Sequence, residues 1–480
     1  MEPPFRFAAG LAIVCLELRR ESNQSMELPL GYNRCFLTMT EFLMARFIYS
    51  LIFTLLLPFI LIRLMMRARK APAYRDRWLE RFGVFKKPQF VKSVNKGQGP
   101  IWFHTVSVGE FIAALPLIEQ VMQAHESRAI VITTTTPTGS EQVVKRFKEQ
   151  LGKRVFHVYL PYDLPWFLKG FLKRLNPELL VILETELWPN LIHCCHHHGT
   201  KVLVANARLS EKSAKGYGKL AKLSAQMLKK IDCLAVQNDT DGQRFIKLGM
   251  PVGNMAVTGS IKFDITIKES LLAKGKEWRG QWGAARKVIM VASTHQGEDI
   301  IALNAFNQLP KEVLSQNPLL IVVPRHPERF DSVAKLIVDQ ELKLVRRSEL
   351  INTNQVNLNT CQVLLIDSMG ELMEFLAASD VCIMGGSFVE NGGHNPLEPA
   401  ALKVPVLMGP SQFNFALICQ QLEEAGGLKT LEAPELSAEL SSWLLSENTI
   451  IEKGLQAKQV VDSNMGAKQK VFELIEHQLA

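Results

Sequence analysis

The sequence predicts an α/β protein: two doubly wound halves facing a cleft, behind one N-terminal membrane-anchor helix. Three observations carry that expectation. The 480 residues are too many for one ordinary core. Short apolar runs alternate with helix-period segments from Ile101 onward. One early stretch stays apolar for twenty residues. With 47% apolar and 21% charged residues, the chain is neither disordered nor a polytopic membrane protein. Its eight cysteines form no C-x-x-C pair, which points to reduced thiols rather than a disulfide framework.

Residues 1–43 come first. Ala8 to Leu16 resembles a short signal core, but Glu2 precedes it and no A-x-A site follows. Met39 and Met44 stand just before the apolar stretch, so 1–43 is expected to be an extension that need not belong to the native protein. Phe47 to Met66 follows, with Arg63 its single charge. As a helix it would span about 30 Å, the hydrocarbon thickness of a bilayer. Seven cations from Arg63 to Arg81, against Asp76 and Glu80, leave five of the protein's eight net positive charges beside it. Such a collar places the downstream chain in the cytoplasm and makes anionic inner-membrane lipid, not nucleic acid, the expected partner of the charge. Residues 44–70 are thus the anchor and collar. A helix lying in the interface and a core helix interrupted by Pro58 are the alternatives.

The first half, 71–270, carries strand-like runs at 101–106, 129–135, 155–160, 179–184, 201–206, 233–237 and 255–258. The second, 271–480, carries them at 287–292, 318–323, 342–346, 362–366, 381–385 and 404–408. The polar run 265–286 reads as the connection between them. No 20–50-residue repeat is visible, which excludes solenoids and propellers. Two Rossmann-like domains follow, and such sheets bind ligands beyond the carboxyl ends of their strands. The residues after each run are therefore the candidates.

After the first run, Ser107-Val108-Gly109-Glu110 opens a helix. Glu110 is either a general base or an ordinary first-turn carboxylate, and the helix dipole should favour its ionised form. Of Glu184 and Glu186 at a strand end, only one need face the cleft, and the other can cap the helix near Pro189. Lys262 follows Gly259-Ser260, where a cation can meet a phosphate or carboxylate; a solvent-facing lysine is the plain alternative. Arg325, after Pro324, can offer a planar guanidinium to phosphate. Ser368-Met369-Gly370-Glu371 should cap a helix over 371–379 and leave backbone N–H groups for an anion. Gly385-Gly386-Ser387 leads to Gly392-Gly393-His394-Asn395-Pro396-Leu397-Glu398, where glycines admit a close ligand and Glu398 can accept from a ribose diol. Together these loops suggest a nucleotide. The run His193 to His198 lacks zinc-ligand spacing and reads as a helix end. Asp239-Thr240-Asp241 imitates a metal-binding D-x-D but sits where a helix is capped. No dinucleotide fingerprint or P-loop is present.

The loops SVGE, ETELWPN, NARLS, GSIKFD, PRHPERF, DSMGEL and GGSFVENGGHNPLEPA, preceded by RKAPAYRDRW, resemble the 3-deoxy-D-manno-octulosonic acid (Kdo) transferase family over roughly residues 40 to 480. The resemblance implies a GT-B glycosyltransferase on the cytoplasmic face of the inner membrane. It would move Kdo from CMP-Kdo to the 6′-hydroxyl of the tetraacylated lipid A precursor, with inversion and with neither metal nor other cofactor. It also implies Glu110 as base, Glu184 and Lys262 as transition-state stabilisers, and Pro324, Arg325, Met369, Gly370, Glu371, Asn395, Pro396, Leu397 and Glu398 as CMP-binding positions. The first half would take the acceptor and the second the donor. A GT-B transferase or epimerase using a UDP-sugar, and a non-catalytic membrane-anchored nucleotide- or lipid-binding protein, are the rival functions.

Overall fold

The computed structural model describes residues 33–86, 98–352 and 358–480; the expectation for most of the leader falls outside them. The chain forms two compact units. One runs to Ile261 and regains Gly466–Ala480, and the other is Lys262–Met465.

The first unit is built on β1 (Ile101–His104), β2 (Ile130–Thr134), β3 (Val155–Tyr159), β4 (Leu179–Leu183), β5 (Lys201–Ala207), β6 (Cys233–Val236) and β7 (Met255–Val257). They form one parallel sheet in the order β3-β2-β1-β4-β5-β6-β7. The second unit has β8 (Val288–Thr294), β9 (Leu319–Pro324), β10 (Leu344–Arg346), β11 (Val363–Leu365), β12 (Val381–Met384), β13 (Val406–Met408) and β14 (Leu428–Thr430). Its parallel order is β10-β11-β9-β8-β12-β13-β14. Helices cover both faces of such sheets, so the inner strands read as unbroken apolar runs; all five residues of β4 are buried. Each predicted run is a strand. The unpredicted one, β14, is Leu-Lys-Thr at a sheet edge, too short and too polar to stand out. Strand order reverses between β1 and β4 and again between β8 and β12, the positions where ligands bind in open α/β sheets.

Two segments differ from expectation. The run read as a connection contains the helix Glu269–Trp282, whose Trp282 is buried in the second core and stacks on Phe375. The C-terminal helix Ala467–Leu479 leaves the second unit and lays Val471 and Ile475 among Phe111, Leu117 and Ile118 of the first. An amphipathic stripe can fill either core, and periodicity does not say which. Removing residues 467–480 should uncover that seat and lower the melting transition of the first unit by roughly 10 °C, from about 3 kcal/mol or more of lost burial. Scanning calorimetry that shows no shift would refute the packing.

The helix Asn33–Lys70 contains Met44–Arg69, long and apolar enough to cross a membrane. Phe47, Leu51, Leu55, Phe59, Ile62 and Met66 form an exposed stripe on it. Its other side is fastened to the first unit: Tyr49 is buried, and Asn190 Nδ2 donates to Ser50 Oγ at 3.0 Å. Beyond the helix, Arg77 donates to His157 O at 2.8 Å and Ser140 Oγ at 3.1 Å, and buried Arg81 donates to Thr135 O at 3.0 Å. The collar is therefore smaller than the sequence count. Arg63, Arg67, Arg69 and Arg75 stay exposed, while Arg77 and Arg81 serve the first sheet.

Candidate active site

At the first switch point, β1 hands over to the helix Val108–Ala124 through Ser107, whose Oγ accepts from Glu110 N at 3.3 Å. Glu110 folds back in return. Its Oε2 accepts from Val106 N at 2.7 Å and its Oε1 from the Ser107 hydroxyl at 3.1 Å, a reciprocal cap. On the neighbouring strand, β4 stops at Leu183. Glu184 then turns left-handed at φ +58°, a conformation a non-glycine residue rarely holds and one that collects at functional sites.

Past that turn both acidic residues act on the Glu110 carboxyl, where one alone was expected in the cleft. Burial and the Glu186 charge, with a smaller push from Glu184, raise the Glu110 carboxyl to about 8 against the bonds from Val106 and Ser107. Burial and Glu184 likewise raise Glu186 to about 7. The expected dipole-favoured ionisation of Glu110 is thus reversed, because burial and two acidic neighbours disfavour its charge. Arg208 Nε, 3.4 Å from Glu184 Oε2, contributes a cation. Folded Glu110 keeps a proton that the unfolded chain releases above its ordinary value of 4.5, so ionisation erodes stability as pH rises through that window up to about 8. The melting temperature of Glu110→Gln relative to the parent should therefore climb between those pH values and then level off. A flat difference would show that the carboxyl is not raised.

Lys262 opens the second unit, with Nζ 5.5 Å from the Phe415 ring centroid. At the second switch point, β8 leads to Glu298 and β12 to Gly385-Gly386-Ser387. Glu298, buried at 2% exposure, accepts from His295 N at 2.8 Å, Gly386 N at 2.7 Å, Ser387 N at 3.0 Å and Phe388 N at 3.0 Å. One carboxylate thereby braces the glycine loop against the end of β8. A Cβ on Gly385 would lie 2.4 Å from Ser293 O, so only glycine fits there.

Around that loop, His394 stacks on His295 with planes 10° apart and Nε2 atoms 2.8 Å apart; Asn391 Nδ2 lies 2.7 Å from His295 Nε2. Burial, followed by the His295 and Arg325 neighbours, drives His394 to about 4, so it is a neutral imidazole. Asn395 Oδ1 accepts from Leu397 N at 3.2 Å, and its Nδ2 reaches Glu398 at 3.4 Å in the first turn of the helix Leu397–Ala401 behind Pro396. Burial raises Glu398 while Asn395 and the exposed Arg325 guanidinium beyond Pro324 oppose it. Arg325, Asn395, Pro396, Leu397 and Glu398 are therefore gathered at one place.

Met369-Gly370-Glu371 follow β11, adjacent to β9, but not as expected. The helix is Leu372–Leu376 rather than 371–379, and Ser368 donates to Glu371 instead of capping. Arg347 donates to Glu371 Oε1 from Nη2 at 2.8 Å and from Nε at 3.2 Å. Although burial opposes its charge, the bonds from Ser368 and Arg347 hold Glu371 below the usual carboxylate range. Glu371 is therefore an acceptor at this helix start. Met369 is exposed and Gly370 left-handed at φ +95°.

Sequence reasoning missed Glu298, His295, Asn391 and Arg347. A signal existed for Glu298: like Glu110, it stands in the first turn of the helix that follows the first strand of its sheet. The His193–His198 run forms the end of the helix Pro189–His198. Asn238 caps the helix Asp239–Lys247, accepting from Asp241 N at 2.8 Å, and Asp241 pairs with Arg244 at 2.7 Å.

Two doubly wound parallel sheets with shaped loops at both switch points make the GT-B fold. A glycosyltransferase from Rickettsia africae has the same fold, with TM-score 0.51 at 13% identity over 80% of this chain and 99% of that one. Residues 76–265 match the family described as 3-deoxy-D-manno-octulosonic-acid transferase (kdotransferase). The 3-deoxy-D-manno-octulosonic acid transferase of Haemophilus influenzae is 40% identical over 90% of this chain and 98% of its own. That of Bordetella pertussis is 33% identical over 84% and 91%. The chain belongs to the 3-deoxy-D-manno-octulosonic acid transferase family and is an enzyme of that class.

Proposed function

We propose that this enzyme moves Kdo from CMP-Kdo to the 6′-hydroxyl of the tetraacylated lipid A precursor, with inversion, at the cytoplasmic face of the inner membrane during lipopolysaccharide synthesis. The observation that carries the mechanism is Glu110, a carboxyl at the first switch point, oriented by Val106 and Ser107 and titrating at about 8. A base titrating near the working pH combines availability with proton-transfer driving force. Glu110 takes the proton as the acceptor oxygen bonds to the anomeric carbon. The bond from that carbon to the CMP phosphate oxygen breaks, and CMP departs with the electron pair. Lys262 and Arg325 balance the charge that develops on the leaving phosphate, and Glu184, backed by Glu186, stabilises the oxocarbenium-like centre.

Pro324 and Arg325, Met369 to Glu371, and Asn395 to Glu398 are the positions assigned to CMP. Glu371, kept anionic by Arg347, accepts hydrogen bonds from the nucleoside. The first unit carries the acceptor and the anchor, the second the donor. Mass spectrometry of the product from CMP-Kdo and the lipid A precursor tests the reading: Kdo addition is expected, and transfer only from a UDP-sugar overturns it. With Glu110 as base, kcat/KM should rise with pH and level off above about 8, following the carboxyl. Activity should withstand EDTA, since the charge is assigned to Lys262 and Arg325; loss on chelation with recovery on Mg2+ would reject that assignment.

A further inference from the structure

A cavity of about 440 Å3 lies in the first unit between the apolar helix, the helix Pro165–Leu175 and the second half of Pro189–His198. Arg46, Lys169, His193 and His197 line it together with Leu172 and Cys194. Arg46 Nη1 is buried and makes no hydrogen bond. Lys230 donates to His193 Nδ1, and the His193 and His197 rings are 4.3 Å apart. The nearby carboxylate is Asp163, whose oxygens already accept from Asn190 N at 3.0 Å and Leu191 N at 2.7 Å. Two cations and the imidazoles of His193, His197 and His198 thus line a cavity with Lys230 behind it, while the Asp163 carboxylate near Arg46 already accepts two backbone N–H bonds. Burial, then the surrounding cations, pull the Lys230 and His197 values down, a sign of positive charge crowding itself. An anion relieves such crowding.

The cavity is separate from the carboxylate trio. The helix Pro189–His198 begins beside Glu184 and Glu186 and carries His197 roughly 12 Å further along its axis. Arg46 also immediately precedes Phe47, where the exposed apolar stripe begins.

We propose that this cavity binds the phosphate of an anionic phospholipid, whose acyl chains follow the exposed stripe from Phe47. The choice of lipid rests on the helix being a membrane anchor; the choice of phosphate rests on the cavity. The full chain in neutral detergent, mixed with phosphatidylglycerol and released for native mass spectrometry, should retain one lipid. Arg46→Gln with Lys169→Gln should weaken retention about thirtyfold, at the usual contribution per cation facing an anionic lipid. Arg67→Gln with Arg69→Gln, on the exposed collar, should leave it unchanged, and phosphatidylcholine should not be retained. His197→Glu, which adds a repelling carboxylate and spares both cations, should abolish retention while the melting curve stays in place. Equal retention in the Arg46 and Lys169 variant, or loss confined to the collar variant, overturns the site. Inorganic phosphate that binds while phosphatidylglycerol does not would assign the cavity to a soluble anion and overturn the lipid source. Failure of the unaltered chain to bind phosphatidylcholine vesicles would reject the anchor, with phosphate binding still reporting on the cavity.

Discussion

Glu110→Gln is expected to lower transfer by about a thousandfold, within the usual range for loss of a general base, while CMP binding stays unchanged. The amide is isosteric and its oxygen still accepts from Val106 N–H, so the cap and fold survive. What disappears is the atom that takes the proton. Glu186→Gln makes a subtler companion. Removing the charge that most raises Glu110 should slide the alkaline rise of kcat/KM toward acid, because the base then ionises at lower pH. Unaltered turnover in Glu110→Gln would remove it from the chemistry. An unmoved profile in Glu186→Gln would show that the carboxylates do not share one pocket during turnover.

Glu298→Ala should damage the second unit more than any surface change. It leaves the N–H groups of His295, Gly386, Ser387 and Phe388 without their acceptor, in a place water reaches poorly. Each orphaned buried donor costs about 1–3 kcal/mol, and partial relaxation suggests a total of about 4 kcal/mol. Urea unfolding followed at the second unit, with calorimetric titration of CMP, reads both consequences. The glycine loop should lose its position, and nucleotide affinity should fall with stability. Glu298→Gln should fare little better, because its NH2 group meets N–H donors where the carboxylate met them. Retained stability and CMP affinity in the alanine variant would show that the brace is dispensable.

The strands were legible because a parallel sheet covered on both faces must be written as plain apolar runs, and β4 as Leu-Leu-Val-Ile-Leu permits little else. The candidate loops were legible because glycine and proline mark where backbone approaches a ligand. What escaped was whatever depends on three-dimensional company. The Ala467–Leu479 stripe is equally suited to either core. The Glu110 cap looks like any first-turn carboxylate until the charges of Glu186 and Glu184 are found to act on it. Glu298 resembles a surface acid until four backbone donors are found around it. Arg77 and Arg81 count as collar charge until the edge of the first sheet is seen to hold them.

The apolar helix is fastened to the first unit on both flanks, through Tyr49 and Ser50 on one side and Arg77 and Arg81 on the other. A surface that takes up the helix therefore also sets the height and tilt of β1 to β7. The unit keeps lateral diffusion and spin about the surface normal but loses the freedom to tumble that a loose tether would leave it. For a hydroxyl carried on a lipid, meeting Glu110 becomes a search in a plane whose vertical coordinate is already set. Encounter frequency then depends on area density rather than bulk concentration, and productive orientation comes without a tighter Kd.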